Sequence, residues 1–320
     1  MNALFLIGFL LAGGVQSAPD RLAVARAQFE RGDYRAVITT LSTAIDADGH
    51  DAALWYWRSR SYLELRDYAR AIADGERAVV EQPRDPEYRR WLGRAYGGAA
   101  EQKRSFSLAR KVRAAFEEAV RLAPSNLPAR RDLMEFYAQA PWIVGGDKGK
   151  ALEQVEAIAR ADAVAGYLAR AVFLIHTNRR EAAEAEYQHV LEACPDRIEP
   201  YLEIADYDKS RGDAGRFASV VEQAARVAPS DARLTYYRGV ALVLANGNLA
   251  EAERLLRVYL ATAPQRSDWP SHDDAHTWLG RIGEQRGDVS AALDEYQAAL
   301  ALDPESKNAR EAVRRLKQAP

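Results

Sequence analysis

The sequence has little cysteine, methionine and histidine: one Cys, two Met and five His in 320 residues. The single cysteine, Cys194, excludes a disulfide within the chain, so packing has to supply the stability. Cys194 stands beside Pro195 at the end of a predicted helix, where a small buried residue is expected. The neighbouring sequence contains no base that would make this thiol reactive.

The chain also lacks an excess of basic residues. Its formal net charge is -2 and its pI is near 6.3, which argues against a nucleic-acid partner. The charge is uneven, because residues 84–131 contain twelve Lys or Arg and five Asp or Glu. This basic segment predicts a partner with acidic groups.

A long hydrophobic run is missing as well. The longest apolar stretch, residues 3–12, is shorter than the roughly 20 residues that span a bilayer. Two glycines end the stretch, and small residues follow at Ser17 and Ala18. This pattern predicts a signal peptide over residues 1–18, with a mature chain that starts at Ala18 or Pro19 and has no stable membrane insertion. The alternatives are a retained membrane anchor and a buried first helix.

The sequence does contain a skeleton that recurs about every 34 residues. A helix with large residues precedes a short turn, a second helix places Ala, a large residue and Ala on one face, and a proline closes the unit. One copy consists of Trp55, Tyr62, Asp67, Tyr68, Ala71, Ala78 and Pro83, and another of Leu279, Gly280, Gly287, Asp288, Ala292, Tyr296, Ala299 and Pro304. Small residues let the two helices approach, and the aromatic ring fills the space between neighbouring hairpins.

This skeleton resembles the tetratricopeptide repeat family. The resemblance implies an all-α, right-handed superhelical solenoid, and eight helical hairpins can be placed as a single array over residues 19–320. A last amphipathic helix over 306–318 is expected to cap the array. The segments 91–97 and 140–148 are similar to a subgroup of exported bacterial repeat proteins, which implies a cell-envelope location.

Two hairpins are longer than the regular unit. About seven extra residues in the third hairpin predict one additional turn in each of its helices. The fourth hairpin has an insertion at residues 141–147, where Asp147 is expected to cap the second helix. Trp142, Ile143 and Val144 at the tip of this insertion form either an internal plug or an exposed contact, and we favour the plug.

The resemblance also implies that the first helix of each hairpin lines a concave groove. The groove positions hold Tyr56, Arg60, Arg90, Arg94, Arg131 and Glu135. Arginine forks beside a tyrosine suit carboxylate or phosphate groups of a partner, so replacing Arg90 and Arg94 should weaken binding and barely change stability. The alternative is a solvated helix face with ion pairs to neighbouring acids. Leu168 and Leu202 at the same positions of later hairpins predict that the groove becomes apolar there.

The sequence contains no complete motif for catalysis or for cofactor binding. The stretch 145–150 has three residues between its first Gly and the Gly-Lys pair, where a phosphate-binding loop needs four, and Ala151 replaces the Ser or Thr. His272 and His276 are four apart, but Asp273 is not the Glu of a zinc-protease motif and no third ligand is evident. We therefore predict no cofactor, no metal and no enzyme activity.

The resulting expectation is a non-catalytic scaffold of the bacterial cell envelope, periplasmic or secreted, that binds another protein or peptide in its groove. The first alternative is an accessory protein that binds a small ligand or metal for an enzyme system. The second is an envelope assembly factor that stays anchored by its N-terminal segment.

Overall fold

The structure is a computed structural model that describes residues 18–47, 49–193 and 195–318. Residues 1–17 of the predicted signal peptide, and Cys194, lie outside the described residues. Signal cleavage, localisation and the burial of Cys194 therefore stay predictions. None of the described helices is both long and apolar enough to cross a membrane.

The chain divides after Pro83 into two compact units, and each is described by itself. The first unit contains two helical hairpins, formed by α1 (Ala18–Glu30), α2 (Tyr34–Ala47), α3 (Ala52–Glu64) and α4 (Tyr68–Glu81). Its core is formed by Phe29, Leu41 and Leu54, which are buried together with small residues of the same helices. Helices α2 and α4 carry their apolar residues on one stripe, which faces this core in α2.

The second unit begins at Arg84 and contains six hairpins and a final helix. They are α5 (Pro86–Lys103), α6 (Phe106–Leu122), α7 (Leu127–Gln139), α8 (Lys148–Ala161), α9 (Ala163–His176), α10 (Arg180–Glu192), α11 (Glu199–Arg211), α12 (Ala214–Val227), α13 (Arg233–Leu244), α14 (Leu249–Thr262), α15 (His272–Gln285), α16 (Val289–Leu302) and α17 (Lys307–Gln318). Consecutive helices contact one another throughout this unit. The prediction of an all-α fold with eight hairpins and a final helix is confirmed in the described residues, which contain no strand.

Small residues allow the close approach that the skeleton predicts. A Cβ on Gly93 would lie 2.5 Å from the Phe116 ring, and one on Gly280 would lie 2.6 Å from the Tyr296 ring. Both rings are buried, so a larger side chain would have to displace them. The aromatic residues therefore pack directly against the partner helix of their own hairpin.

The C-terminal helix α17 covers the last hairpin. Its Ala309 and Ala312 are buried in one cluster with Tyr296 and Ala299 of α16. Leu316 packs against the same cluster. The predicted cap is thus confirmed, since an uncovered hairpin would expose this apolar face.

The third hairpin is longer than the others, as its extra residues predict. Helices α5 and α6 have 18 and 17 residues, whereas α3 and α4 have 13 and 14. Each of the two longer helices has gained about one turn. This extension creates one of the cavities described below.

The insertion in the fourth hairpin forms a 3-10 turn at Trp142–Val144. Gly145 follows with φ of 103°, and a Cβ on Gly146 would lie only 1.7 Å from the Ala140 carbonyl oxygen. Asp147 then accepts hydrogen bonds from the first amides of α8, which confirms the predicted cap.

The plug predicted at the tip of this insertion is wrong for two of its three residues. Trp142 is 85% exposed and Ile143 is 46% exposed, whereas Val144 is buried. A single 3-10 turn points successive side chains in different directions, about 120° apart. Only Val144 therefore reaches the interior, on the side where the turn contacts α6.

Candidate protein-binding site

The predicted groove residues are distributed over both units. Tyr56 and Arg60 lie on α3 of the first unit. The Arg60 guanidinium lies 4.5 Å from the ring centre of Phe29 and 4.7 Å from that of Trp57. Tyr56 is also within cation–π distance of Arg60. Arg60 is thus part of an aromatic cluster.

The other four predicted residues come together in the second unit. Arg90 and Arg94 on α5 both bind the carboxylate of Asp132 on α7. The Nε of Arg90 is 2.8 Å from Asp132 Oδ2, and Arg94 reaches the same carboxylate through Nε at 3.0 Å and Nη2 at 2.8 Å. Burial alone lowers the pKa of the Arg94 guanidinium, but the hydrogen bonds to Asp132 and the negative charges of Asp132, Glu135 and Glu87 together outweigh this effect and raise the pKa.

The burial of this group corrects one expectation from the sequence. The side chains of Arg90 and Asp132 are only 12% and 10% exposed. Removing Arg90 and Arg94 together would leave a buried carboxylate without its cations, which costs several kcal/mol in comparable sites. The double replacement would therefore reduce the stability, and only single replacements are suitable for testing binding.

Arg131 occupies the centre of the predicted groove. Its Nε donates to Glu135 at 3.0 Å, and its Nη1 and Nη2 donate to the two oxygens of Glu203 at 2.8 and 2.9 Å. Burial by itself lowers the pKa of Arg131, but the hydrogen bonds and negative charges of Glu203 and Glu135 together raise the pKa by more. The bonds fix the guanidinium between α7 and α11.

These side chains line a cleft of about 720 Å³, which we call the charged cleft. It is formed mainly by α5, α7, α9 and α11, and Leu168 contributes an apolar wall. Its charged residues are four arginines and six carboxylates: Arg90, Arg94, Arg131, Arg197, Glu87, Asp132, Glu135, Asp162, Glu199 and Glu203. Acids outside the basic segment thus neutralise its groove arginines, and the cleft has no positive excess.

A second cavity, of about 830 Å³, lies where the lengthened third hairpin meets the insertion. We call it the apolar cavity, because its walls include Phe106, Phe116, Phe136 and Val144. Arg94, Asp132 and Glu135 line this cavity as well as the charged cleft. The two cavities are therefore neighbouring parts of one surface.

Two arginines on α6, Arg113 and Arg121, lie outside the two cavities and behave differently. Arg121 is exposed and forms a local pair with Glu118 on α6. Arg113 instead supports the insertion, since a Cβ on Gly145 would lie 2.1 Å from its guanidinium. Arg121 is thus the better control for substitutions in the cleft.

The predicted apolar continuation of the groove is interrupted by a polar network. Lys209 on α11 donates to Tyr236 and to Asp274, both at 2.9 Å. Tyr236 also donates to Asp274. The network joins α11, α13 and α15.

The paired histidines bind other groups. His272 lies 3.2 Å from the Ala263 carbonyl oxygen, and His276 lies 2.7 Å from Glu295. Within the described ranges, no three His, Cys, Asp or Glu side chains form a group that could hold a metal ion.

Comparison with known proteins places this geometry in context. None of the curated proteins matches the chain. A chain of the APC/C hetero-tetramer Cut9–Hcn1 is similar at 15% identity and a TM-score of 0.50, over 96% of this chain and 57% of that one. A thermophilic TPR protein from Thermus thermophilus is similar at 20% identity and a TM-score of 0.49, over 64% and 98%. A tetratricopeptide repeat protein from Parabacteroides merdae is similar at 12% identity and a TM-score of 0.46, over 95% and 100%.

At these identities the likeness concerns the fold alone. The family model described as tetratricopeptide repeat matches residues 22–86, 202–267 and 265–307. Together these ranges cover more than half of the sequence, and they include hairpins from both units. The chain therefore belongs to the tetratricopeptide repeat family.

Proposed function

We propose that this protein is a non-catalytic scaffold that binds a segment of another protein in the charged cleft. Repeats of this family generally serve as binding scaffolds. The observation that carries the proposal is the rigid placement of Arg90, Arg94 and Arg131 by ion pairs that span several helices. Pre-oriented side chains lose little entropy when a partner binds.

The arginines keep donors for such a partner. A guanidinium has five N–H groups. The described bonds use two of them at Arg94 and three at Arg131. Because the positive charges already have carboxylate partners, the remaining N–H groups suit neutral acceptors such as the backbone carbonyls of a bound segment.

The predicted acidic partner is a narrower version of this proposal. Its support is the set of remaining N–H donors, but a partner carboxylate would have to compete with Asp132 and Glu203. The excess of carboxylates in the cleft favours a basic partner instead.

Photo-cross-linking in cells tests the cleft directly. A photoreactive amino acid at Glu135 should give a specific adduct, whereas the same residue at Arg121 should not. The affinity of the identified segment for two variants of the protein then tests whether its charge is negative or positive. An acidic segment should bind more weakly to Arg94→Ala, and a basic one should bind more weakly to Glu135→Gln. Equal adducts at both positions would indicate a diffuse surface and contradict the proposal.

We also propose that the scaffold acts in the bacterial cell envelope after export. The support is the short apolar run followed by small residues before Pro19. Intact mass of the protein from a periplasmic fraction should show a chain that starts at Ala18 or Pro19. A soluble periplasmic form that retains Met1 would contradict cleavage.

A further inference from the structure

The apolar cavity exists because the third hairpin is one turn longer than its neighbours. Gly97, Ala100 and Ala109 contribute small residues to its lining, and Phe106 stands at the start of α6. A Cβ on Gly97 would meet no atom within 4 Å outside its own stretch of α5. The cavity is therefore open beside α5, in a place where a regular hairpin would have ended.

Large apolar side chains surround this space without filling it. Phe106 is 56% exposed, while Phe116 and Val144 form buried walls. Trp142 and Ile143 stand exposed on the 3-10 turn, which contacts α6 next to the cavity. A cluster of exposed apolar side chains beside a concave site is typical of an interaction surface.

The cavity continues the charged cleft. Arg94, Asp132 and Glu135 belong to both linings. A segment that binds in the cleft therefore comes within reach of the cavity. Its volume of about 830 Å³ lies within the usual range for ligand sites.

The charges that line the two cavities indicate which charged residue of a partner would bind beside its apolar side chains. The two cavities together are lined by five arginines and seven carboxylates. Glu101, on the rim, is exposed, and the described residues provide no ion pair for it. Glu135 shares Arg131 with Glu203. Glu101 is thus available for a cation, and Glu135, whose Oε1 accepts from Arg131, offers its second oxygen.

We infer that the apolar cavity takes large apolar side chains from a partner segment that has a lysine or arginine next to them. The basic residue pairs with Glu101 or Glu135, while the rest of the segment follows the charged cleft. This inference rests on the proposed scaffold function. It deepens that function by specifying the chemistry of the partner.

Peptide selection on the purified full chain tests the inference. The probe is a phage library of random 12-residue peptides, and the enriched sequences are synthesised for affinity measurement by fluorescence anisotropy. We expect enrichment of peptides with an aromatic or branched aliphatic residue near a Lys or Arg. Enrichment of acidic peptides, or no enrichment, would overturn the inference.

Gly97→Leu is the decisive variant, because it places a large apolar side chain in the cavity wall at a position where a Cβ meets no neighbouring helix. Leu is a better helix former than Gly, so the variant should have an unchanged or higher Tm. It should bind the selected peptides at least about tenfold more weakly. Gly215→Leu, on the exposed first turn of α12, is the matched control and should leave affinity unchanged.

Two further variants distinguish the apolar contact of a bound peptide from its charged contact. Trp142→Ala should weaken binding about three- to tenfold and leave the Tm unchanged, because the indole is 85% exposed. The double variant Glu101→Gln, Glu135→Gln should selectively weaken the binding of peptides that contain a Lys or Arg. A fall in Tm for Trp142→Ala with unchanged affinity would contradict a contact between Trp142 and the bound peptide.

Failure of this inference can be told from failure of the scaffold proposal. If Gly97→Leu binds normally while Arg131→Ala does not, the cleft is the site and the cavity is not. If both variants bind normally, both proposals fail. If Gly97→Leu alone loses affinity, the apolar cavity stands as the site on its own.

Discussion

Asp208 shows how a single residue can carry a pH dependence. Its carboxylate is buried on α11, beside Arg216 at 3.3 Å. Burial raises its pKa to about 6, Arg216 opposes this shift, and the nearby acids Asp213 and Glu184 add to it. The charged form is thus disfavoured in the folded protein.

The stability should therefore rise when the pH falls through this region. The folded protein holds a proton on Asp208 up to about pH 6, whereas an unfolded Asp loses it near pH 3.9. The penalty is complete above pH 6 and disappears below about pH 4. Asp208→Asn should raise the free energy of unfolding by about 1–3 kcal/mol at pH 8 and change it little at pH 4. Urea titrations at the two pH values measure this, with exposed Asp294→Asn as the control. A gain that is equal at both pH values would argue against the titration.

At the scale of the element, short polar residues begin most helices of the array. Asp67, Asn126, Asp162 and Ser271 each accept a hydrogen bond from an amide of the helix that follows. Such caps satisfy amides that have no partner within the helix. They define where each helix starts, independently of the packing behind it.

The cap at Asp147 begins α8, the first α-helix after the insertion. Its Oδ1 accepts from the amides of Gly149 and Lys150 at 2.9 and 3.1 Å. Asp147→Ala should lower the free energy of unfolding by about 1 kcal/mol, and Asp147→Asn should lower it by less. Chemical denaturation measures both, and Asp294→Ala within α16 should be nearly neutral. Equal stability of all three variants would show that the cap is redundant.

At the scale of the whole molecule, ion pairs join hairpins that are not neighbours. Arg131 on α7 binds Glu203 on α11, across the intervening hairpin of α9 and α10. Among the described residues of the second unit, α10 and α11 pack against each other less closely than any other consecutive helices. The pair therefore bridges the most loosely packed junction of that unit.

Loss of this bridge should loosen the junction. Glu203→Gln keeps the side-chain volume and removes the charge, so we expect faster amide hydrogen exchange in α10 and α11. The effect should be modest, because both side chains are partly exposed. Glu156→Gln, which breaks an exposed pair between the neighbouring helices α8 and α9, is the control. Unchanged exchange in α10 and α11 would contradict the bridging role.

The sequence allowed the hairpins to be predicted because their determinants are local. Gly280 and Tyr296 face each other within one hairpin, and Asp147 caps the helix that directly follows it. The extra turns of the third hairpin followed from counting residues. Asp132, which binds two predicted groove residues, was missed although it stands next to Arg131.

The partners of the groove arginines could not be predicted in the same way. Arg94 and Asp132 are 38 positions apart, and Arg131 and Glu203 are 72 apart. No local pattern relates residues at such distances. The insertion shows the same limit, since composition predicted three buried side chains and the geometry of one 3-10 turn buried only Val144.

The sequence by itself determined the repeat, the number of hairpins and the place of each insertion, because periodic packing and capping act over a few residues. Tertiary structure alone decided the charge balance of the cleft and the presence of the apolar cavity. Both depend on which helices become neighbours. Asp132 and Glu203 neutralise the groove arginines of the basic segment from other helices. An extra turn leaves space only when the next hairpin does not cover it.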